Sequence, residues 1–378
     1  MKITDIRSTV VAGNFDWILV RVYTDEGLVG LGEAYWGPGV RAILADPRFK
    51  SILIGEDPTN VDRCWLTLKK RLAGAGSSFG TLVTAMSGVE LALWDLAGKA
   101  AGLPIYRLMG GKLRDRIRIY QDCGAEDWGW HADIGAVARQ AVADGYTAIK
   151  FDVDMPTAYE LDPWNRCLTN REIAYITEQV GLAREAIGDD VDLLIDCHWK
   201  YNVSDAIRLA RALEPFKLLW LEDPVPPENV AAHRLVTQAS ATPICTGENL
   251  YLKHGFRELI STHACDVVAP DVPKMGGLSE AKRVADLADL YDMAVGPHNV
   301  SSPIGTLAAC HMLATVPNVL VLEFHGCHVP WWSDLVQGPQ PVIKDGYITV
   351  PDGPGLGVEL NEDVARAHLG PGEGWFEM

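Results

Sequence analysis

The sequence predicts an α/β fold, a TIM-type (β/α)8 barrel, joined to a smaller α+β unit. Three observations lead there. From about residue 116 onward, eight short apolar runs alternate with amphipathic segments. Polar residues recur at the ends of those runs, one β/α unit apart. The first 110 or so residues have a different texture of hairpin and helix. A chain of 378 residues, 48% hydrophobic and 22% charged, is long enough for one such barrel with additions. That make-up excludes a disordered, collagen-like or membrane-spanning protein.

The first elements are strands. WILVRVY (17–23) and LVGLGEAYW (28–36) flank a turn at Asp25–Gly27, which reads as a hairpin. Residues 50 to about 110 read as helices. The clearest spans about Thr84 to Ala101, with Val89, Leu93, Leu96 and Ala100 on one face and Gly102-Leu103-Pro104 as its stop. The barrel strands are then RIRIY (116–120), TAIKF (147–151), DLLID (192–196), LLWLE (218–222), PICTGE (243–248), DVVAPD (266–271), MAVGPH (293–298) and VLVLEF (319–324). Asn170, Ser204 and Ser279 are expected to open three of the helices between them. Two connections are long, residues 121–133 and 152–170. In a barrel both emerge at the C-terminal face, where extra loop handles substrate. Residues 341–378 return to strand-and-turn texture.

Charge narrows the partners. The 33 basic and 50 acidic residues give −17 at pH 7, whereas nucleic acid or an anionic membrane requires a basic surface. A small anionic substrate is still admissible where a metal or a few lysines reverse the sign locally. The eight cysteines never form a CxxC pair, so reduced thiols are expected. No apolar stretch has the length of a signal peptide or a membrane span, and a cytoplasmic protein is expected.

The chemistry lies at the strand ends. Asp196, Glu222 and Glu248 end successive predicted strands at intervals of 26 residues, so neighbouring strands deliver three carboxylates to one rim. One acid at a strand end is an ordinary helix cap. Three converging acids repel, and a hard cation between them resolves the repulsion; all-oxygen ligation favours Mg²⁺. Asp271, His298 and Glu323 continue the series on the next three strands. Asp271 can take the Nδ1–H of His298, leaving Nε2 as a base aimed at the centre. Lys150 and Asp152 lie two apart on the second strand, Lys150 able to neutralise a substrate carboxylate or to act as a second base. His198 and Lys200 lie two and four residues beyond Asp196, on the same side, with Lys200 a further candidate for substrate contact.

The ordered set Lys150-Phe-Asp152, Asp196-Cys-His198, LEDP (221–224), GEN (247–249), Asp271 with GG (276–277), GPHN (296–299) and LEFHG (322–326) resembles the mandelate racemase subgroup of the enolase superfamily. The resemblance extends to SGVELALWDLAGKAAGLP (87–104) and so covers the whole chain. It implies a capping domain over 1–115, completed by about 341–378, and a modified barrel over 116–340. It also implies Mg²⁺ on Asp196, Glu222 and Glu248, and removal of a proton α to a substrate carboxylate. Mg²⁺ and Lys150 would then stabilise the enediolate, and a protonated Glu323 would donate to the same oxyanion. Racemases of the subgroup carry Lys-x-Lys on the second strand; Asp152 in place of the second lysine removes the opposing base. Asp-x-His resembles the aldonate dehydratases, such as those acting on galactonate, arabinonate and mannonate, whose histidine protonates the departing 3-hydroxyl.

The expected activity is therefore dehydration of an acid sugar to a 2-keto-3-deoxy acid. The alternatives are an epimerase, racemase or lactone cycloisomerase on the same fold, or a non-catalytic, metal-stabilised binding barrel. Asn14, Phe15, Asp16, Tyr35 and Trp36 are expected to close the pocket, with Trp331 and Trp332 adding a wall. The expected partners are an anionic acid sugar and further copies of the chain.

Overall fold

Residues 3–34 alternate apolar and polar, and they fold as an antiparallel meander of β1 (Ile3–Ala12), β2 (Asp16–Thr24) and β3 (Val29–Ala34). The computed structural model describes residues 1–124 and 129–376. The turn at Asp25–Gly27 is present, with Gly27 at φ 83°. The helix Thr81–Ala101 lies directly on this sheet. Gly30 and Gly32 of β3 permit that approach, because a Cβ on either would meet the helix backbone at 2.1 or 2.4 Å. Leu91, Leu93 and Leu96 are fully buried along the helix, each contributing roughly 2 kcal/mol by burial.

The eight barrel strands are β4 (Arg116–Asp122), β5 (Ala148–Asp152), β6 (Asp192–Asp196), β7 (Trp220–Glu222), β8 (Ile244–Thr246), β9 (Val267–Val268), β10 (Ala294–Val295) and β11 (Leu322–Phe324). Consecutive strands from β4 to β10 pair in parallel, and β11 pairs back onto β4. A bridge from Val295 to Val319 completes the closure. Tyr120, Leu194, Trp220, Cys245, Val267 and Val321 fill the interior, and the Tyr120 ring meets Trp220 edge-on at 5.7 Å.

Several details differ from the sequence expectation. Strands β8, β9 and β10 are two or three residues long, so Glu248, Asp271 and His298 stand beyond their strands rather than ending them. Thr169 caps the helix Asn170–Ile187 with a capping box to Glu172, and Asn202 caps Val203–Leu213 in place of Ser204. Ser279 is not a cap. The helix Gly277–Asp289 begins at Gly277, and Glu90 of the N-terminal domain accepts from the backbone N–H groups of Leu278 and Ser279. No helix among the described residues follows β11 before the C-terminal strands; two 3-10 turns, Gly326–His328 and Ser333–Leu335, stand there.

The C-terminal stretch divides between the two domains. After β12 (Val336–Gln337), the hairpin of β13 (Ile343–Lys344) and β14 (Tyr347–Thr349) adds antiparallel to β4 and so extends the barrel sheet. Strand β15 (Glu359–Leu360) pairs with β12. Only the chain beyond it reaches the N-terminal sheet, where Leu369 bridges Val11 and the Arg21 guanidinium lies 4.3 Å above the Phe376 ring.

Candidate active site

Strand register sets the geometry at the C-terminal rim. Asp152 pairs with Asp196, and Asp196 with Glu222, so three neighbouring strands end on carboxylates at one level. Glu248 comes from the loop after β8, and oxygen atoms of Asp196, Glu222 and Glu248 all lie within 4.8 Å of one another. All three are buried, and Glu222 Oε1 has no hydrogen-bond partner. Burial of unpaired carboxylate oxygens is costly, so this donor set suits a hard divalent cation.

The motif is less starkly anionic than its carboxylates suggest. Lys150 Nζ lies 3.1 Å from Asp196, 3.3 Å from Glu222, 3.4 Å from Asp122 and 2.7 Å from Glu323. Burial alone would lower the lysine pKa, but Glu222 and Glu323 foremost raise it well above the ordinary value. These carboxylates hold Lys150 as an ammonium. Glu323 also departs from expectation: burial opposes its ionisation, yet Lys150 and His298 hold it well below the usual carboxylate range. Asp122, hydrogen-bonded to it, is shifted the opposite way, and Glu323 accepts the Asn299 backbone N–H at 2.7 Å.

Two of the four histidines that line the cavity each have their own carboxylate. His298 Nδ1 lies 2.6 Å from Asp271 Oδ2, and its Nε2 is 3.7 Å from Glu248. Asp271 also caps the short helix Val272–Met275, accepting from the Lys274 N–H, so its orientation is fixed twice. Burial works against the imidazolium, but Glu248, Glu323 and Asp271 raise the His298 pKa to about 10. His198 Nδ1 lies 3.0 Å from Asp154 Oδ1. Asp196 foremost, then Asp154 against the opposing effect of burial, raise the His198 pKa to about 12. His198 does not reach the pocket along an extended strand. The chain turns through φ 39° at His198 and 60° at Trp199, and the His198 N–H donates to Asp196 Oδ1.

A cavity of about 640 Å³ lies between the domains. Asn14, Phe15, Tyr35 and Trp36 line it from the cap; Lys150, Asp152, Asp196, His198, Glu248, His298 and Glu323 line it from the barrel. Phe15 stacks on Trp36 at 5.3 Å, and Tyr35 lies 6.0 Å from the His298 ring. The barrel wall also includes Asp122, Gly124, Trp199, His325 and His328, which sequence reasoning passed over. Asp122 ends β4 as Asp152 ends β5, so the strand-end rule extended one strand back would have found it. Asp154 carries no such signal.

Four expected pocket residues fall elsewhere, and one of them, Asp16, is exposed at the start of β2 and does not line the cavity. Trp331 stacks on His368 at 3.8 Å and meets Trp17 edge-on, and Trp332 is buried with its indole N–H on Ser301 O; neither lines the cavity. Lys200 is held by Asp154 O at 2.6 Å and Glu160 at 3.4 Å and supports the long β5 loop instead. The centre of the other long loop, residues 125–128, lies outside the described residues.

A closed parallel barrel with strand-end carboxylates, a buried lysine and two carboxylate-backed histidines under an α+β cap defines an enzyme of the enolase type. Residues 7–110 match the family profile described as mandelate racemase / muconate lactonizing enzyme, N-terminal domain, and residues 133–364 match the enolase C-terminal domain-like profile. The chain belongs to the mandelate racemase / muconate lactonizing enzyme family. It is 47% identical to the D-xylonate dehydratase of Haloferax volcanii, over 100% of this chain and 91% of that protein. The D-mannonate dehydratase of a Sphingomonas species is 33% identical over 97% and 94%. The D-galactarolactone cycloisomerase of Agrobacterium fabrum is 30% identical over 96% and 98%. A crystal structure of a mandelate racemase/muconate lactonizing enzyme-like protein from Rubrobacter xylanophilus superposes with a TM-score of 0.94 at 42% identity, covering 100% of this chain and 99% of that one.

Proposed function

We propose that this enzyme is a hydro-lyase that removes water from an acid sugar, a five-carbon aldonate such as xylonate foremost, to give a 2-keto-3-deoxy acid. The observation that carries the reading is the pair of carboxylate-backed histidines, His298–Asp271 after β10 and His198–Asp154 after β6. Three strands lie between β6 and β10 in either direction around the eight-stranded closed barrel, so the two imidazoles approach a substrate from opposite sides. The names of the relatives, dehydratases of xylonate and mannonate among them, support the same class.

In this reading Asp196, Glu222 and Glu248 hold Mg²⁺. The bound cation supplies positive charge that offsets the carboxylates around His298 and stabilises the charge developing on the substrate carboxylate. Lys150, fixed among four carboxylates, presents its ammonium to the same oxygen atoms. His298 Nε2 takes the α-proton, and Asp271 keeps Nδ1 protonated so that Nε2 is the basic nitrogen. His198 Nε2 then gives its proton to the 3-hydroxyl as the C3–O bond breaks. Hydroxide is a poor leaving group and needs a proton donor within reach, and the Asp154 carboxylate on Nδ1 favours the protonated imidazole. Phe15, Tyr35 and Trp36 exclude bulk water above these groups.

The 30% identity to a D-galactarolactone cycloisomerase favours one second reading, intramolecular lactone isomerisation from the same base. Products separate the two. Incubation of the Mg²⁺-loaded enzyme with a panel of aldonates should yield a carbonyl product that reacts with semicarbazide. A ring-opened or ring-shifted isomer from an acid-sugar lactone, with no semicarbazone from any aldonate, would overturn the dehydratase reading.

A further inference from the structure

At the edge of the cavity, beside the Asp196 carboxylate, Gly124 leaves a small opening. A Cβ built on it would have, as its three nearest neighbours, Asp152 Oδ2 at 3.8 Å, Asp122 Oδ1 at 3.9 Å and His325 Nε2 at 3.9 Å. Three polar atoms, from the ends of β4 and β5 and from the residue just after β11, thus surround one point, and no apolar atom comes nearer. Gly124 sits at φ +54°, a conformation that side chains rarely adopt, so the opening belongs to the backbone path. Its own N–H donates to Asp122 Oδ1 at 2.7 Å and holds that carboxylate at the rim.

The protonation pattern of the trio follows from a fourth residue. Asn14 Nδ2, on the cap, lies 3.1 Å from His325 Nδ1 and donates as well to the His325 carbonyl at 3.2 Å. An amide nitrogen can only donate, so Nδ1 accepts and the ring proton of the neutral imidazole sits on Nε2, facing the opening. The cradle therefore offers the His325 N–H as a donor and the carboxyls of Asp122 and Asp152, whose pKa values burial foremost raises, so that they accept when ionised and donate when protonated. A carboxylate or phosphate would be repelled by the acids, and an ammonium by the donor. An alcohol, which both donates and accepts, matches.

We infer that Asp152, Asp122 and His325 around Gly124 form a hydroxyl-binding subsite that reads the polyol end of the substrate, at C4 or C5 of an aldonate. The inference rests on the aldonate reading above and deepens it. It assigns Asp152, at the position of the racemases' second lysine, to substrate recognition and not to proton transfer. Asn14 is its positioning residue, because it sets the His325 tautomer from the other domain.

Binding tests this without turnover. In a His298→Asn background with Mg²⁺, calorimetry would compare D-xylonate with its 4-deoxy and 5-deoxy counterparts. The expected result is about tenfold tighter binding of xylonate than of one deoxy acid, as for one well-paired hydroxyl. Asp152→Asn and His325→Phe should each bring that ratio to within about twofold while leaving the deoxy acid's affinity unchanged, which also certifies that the variants fold. Gly124→Ala should weaken xylonate more than the deoxy acid. Equal binding of all three acids by the parent, or a preference that survives both substitutions, overturns the subsite alone. Failure of every acid to bind the parent overturns the aldonate reading and the subsite together.

Discussion

Replacing Glu33 by glutamine should change how stability depends on pH, by an amount that the structure supplies. Glu33 lies on β3 of the cap, fully buried, and accepts from the Ser302 N–H at 3.0 Å, the Gly305 N–H at 2.9 Å and the Ser302 hydroxyl. These donors form the N-terminus of the helix Pro303–Leu313, four residues beyond His298. Burial raises the Glu33 pKa from 4.5 to about 7, against the opposing effect of its three hydrogen bonds. A carboxyl whose pKa is higher folded than unfolded binds its proton more tightly when folded. Its contribution to stability is therefore complete below about pH 4.5 and is lost as the pH rises to about 7. The difference corresponds to about 3 kcal/mol. Glutamine keeps the shape but sets an N–H₂ against donors, costing on the order of 1–3 kcal/mol at every pH. Urea unfolding of the two proteins at steps from pH 5 to pH 8 should show wild type clearly more stable at the acid end and the two curves converging by pH 8. A gap that stays constant, or widens with pH, would refute the reasoning.

Other substitutions test the roles one at a time. Asp196→Asn should weaken Mg²⁺ binding at least tenfold by calorimetry, since it removes a charged ligand. His298→Asn should abolish exchange of the substrate α-proton with D₂O, by about 10³-fold or more, with Mg²⁺ affinity little changed; exchange near the wild-type rate would move the base elsewhere. His198→Asn should keep that exchange and lose dehydration, and Asp154→Asn should show the same split in milder form, about tenfold in kcat, because its amide no longer favours the imidazolium. Trp331→Ala should lower stability by roughly 2–4 kcal/mol through the lost His368 and Trp17 contacts while leaving KM for the acid sugar unchanged.

Much of the fold was legible because barrel physics writes a period into the chain. Eight apolar runs forecast eight strands, and the carboxylates at 196, 222 and 248 lie one β/α unit apart because each unit delivers its end to the same rim. What escaped depends on local backbone that no period encodes. The His198 ring reaches the cavity through a left-handed turn, and Asp154 finds it from the neighbouring loop. The charge balance around Lys150 and Glu323 emerges only when five charged groups share one buried space. The start of Gly277–Asp289 was misread at Ser279 because its cap, Glu90, comes from the other domain, nearly two hundred residues earlier in the chain. Trp331 shares the aromatic character of Trp36 and differs from it only in which neighbour was available to cover it.

The hairpin of β13 and β14 lies along β4, the first strand of the barrel, and the chain beyond β15 then returns to β1. During synthesis, the first residues of β4, 116–118, and the outer edge of β1 therefore wait for residues beyond 340 before they are paired. A fragment ending near residue 340 would expose both, so closure of these longest loops is expected as a late step of folding. The same arrangement ties the two domains into one unit of inheritance. A cap transplanted from a relative with another substrate would meet a tail shaped for the old one, and exchanges that carry residues 341–376 along with 1–115 should fold where exchanges of 1–115 alone do not.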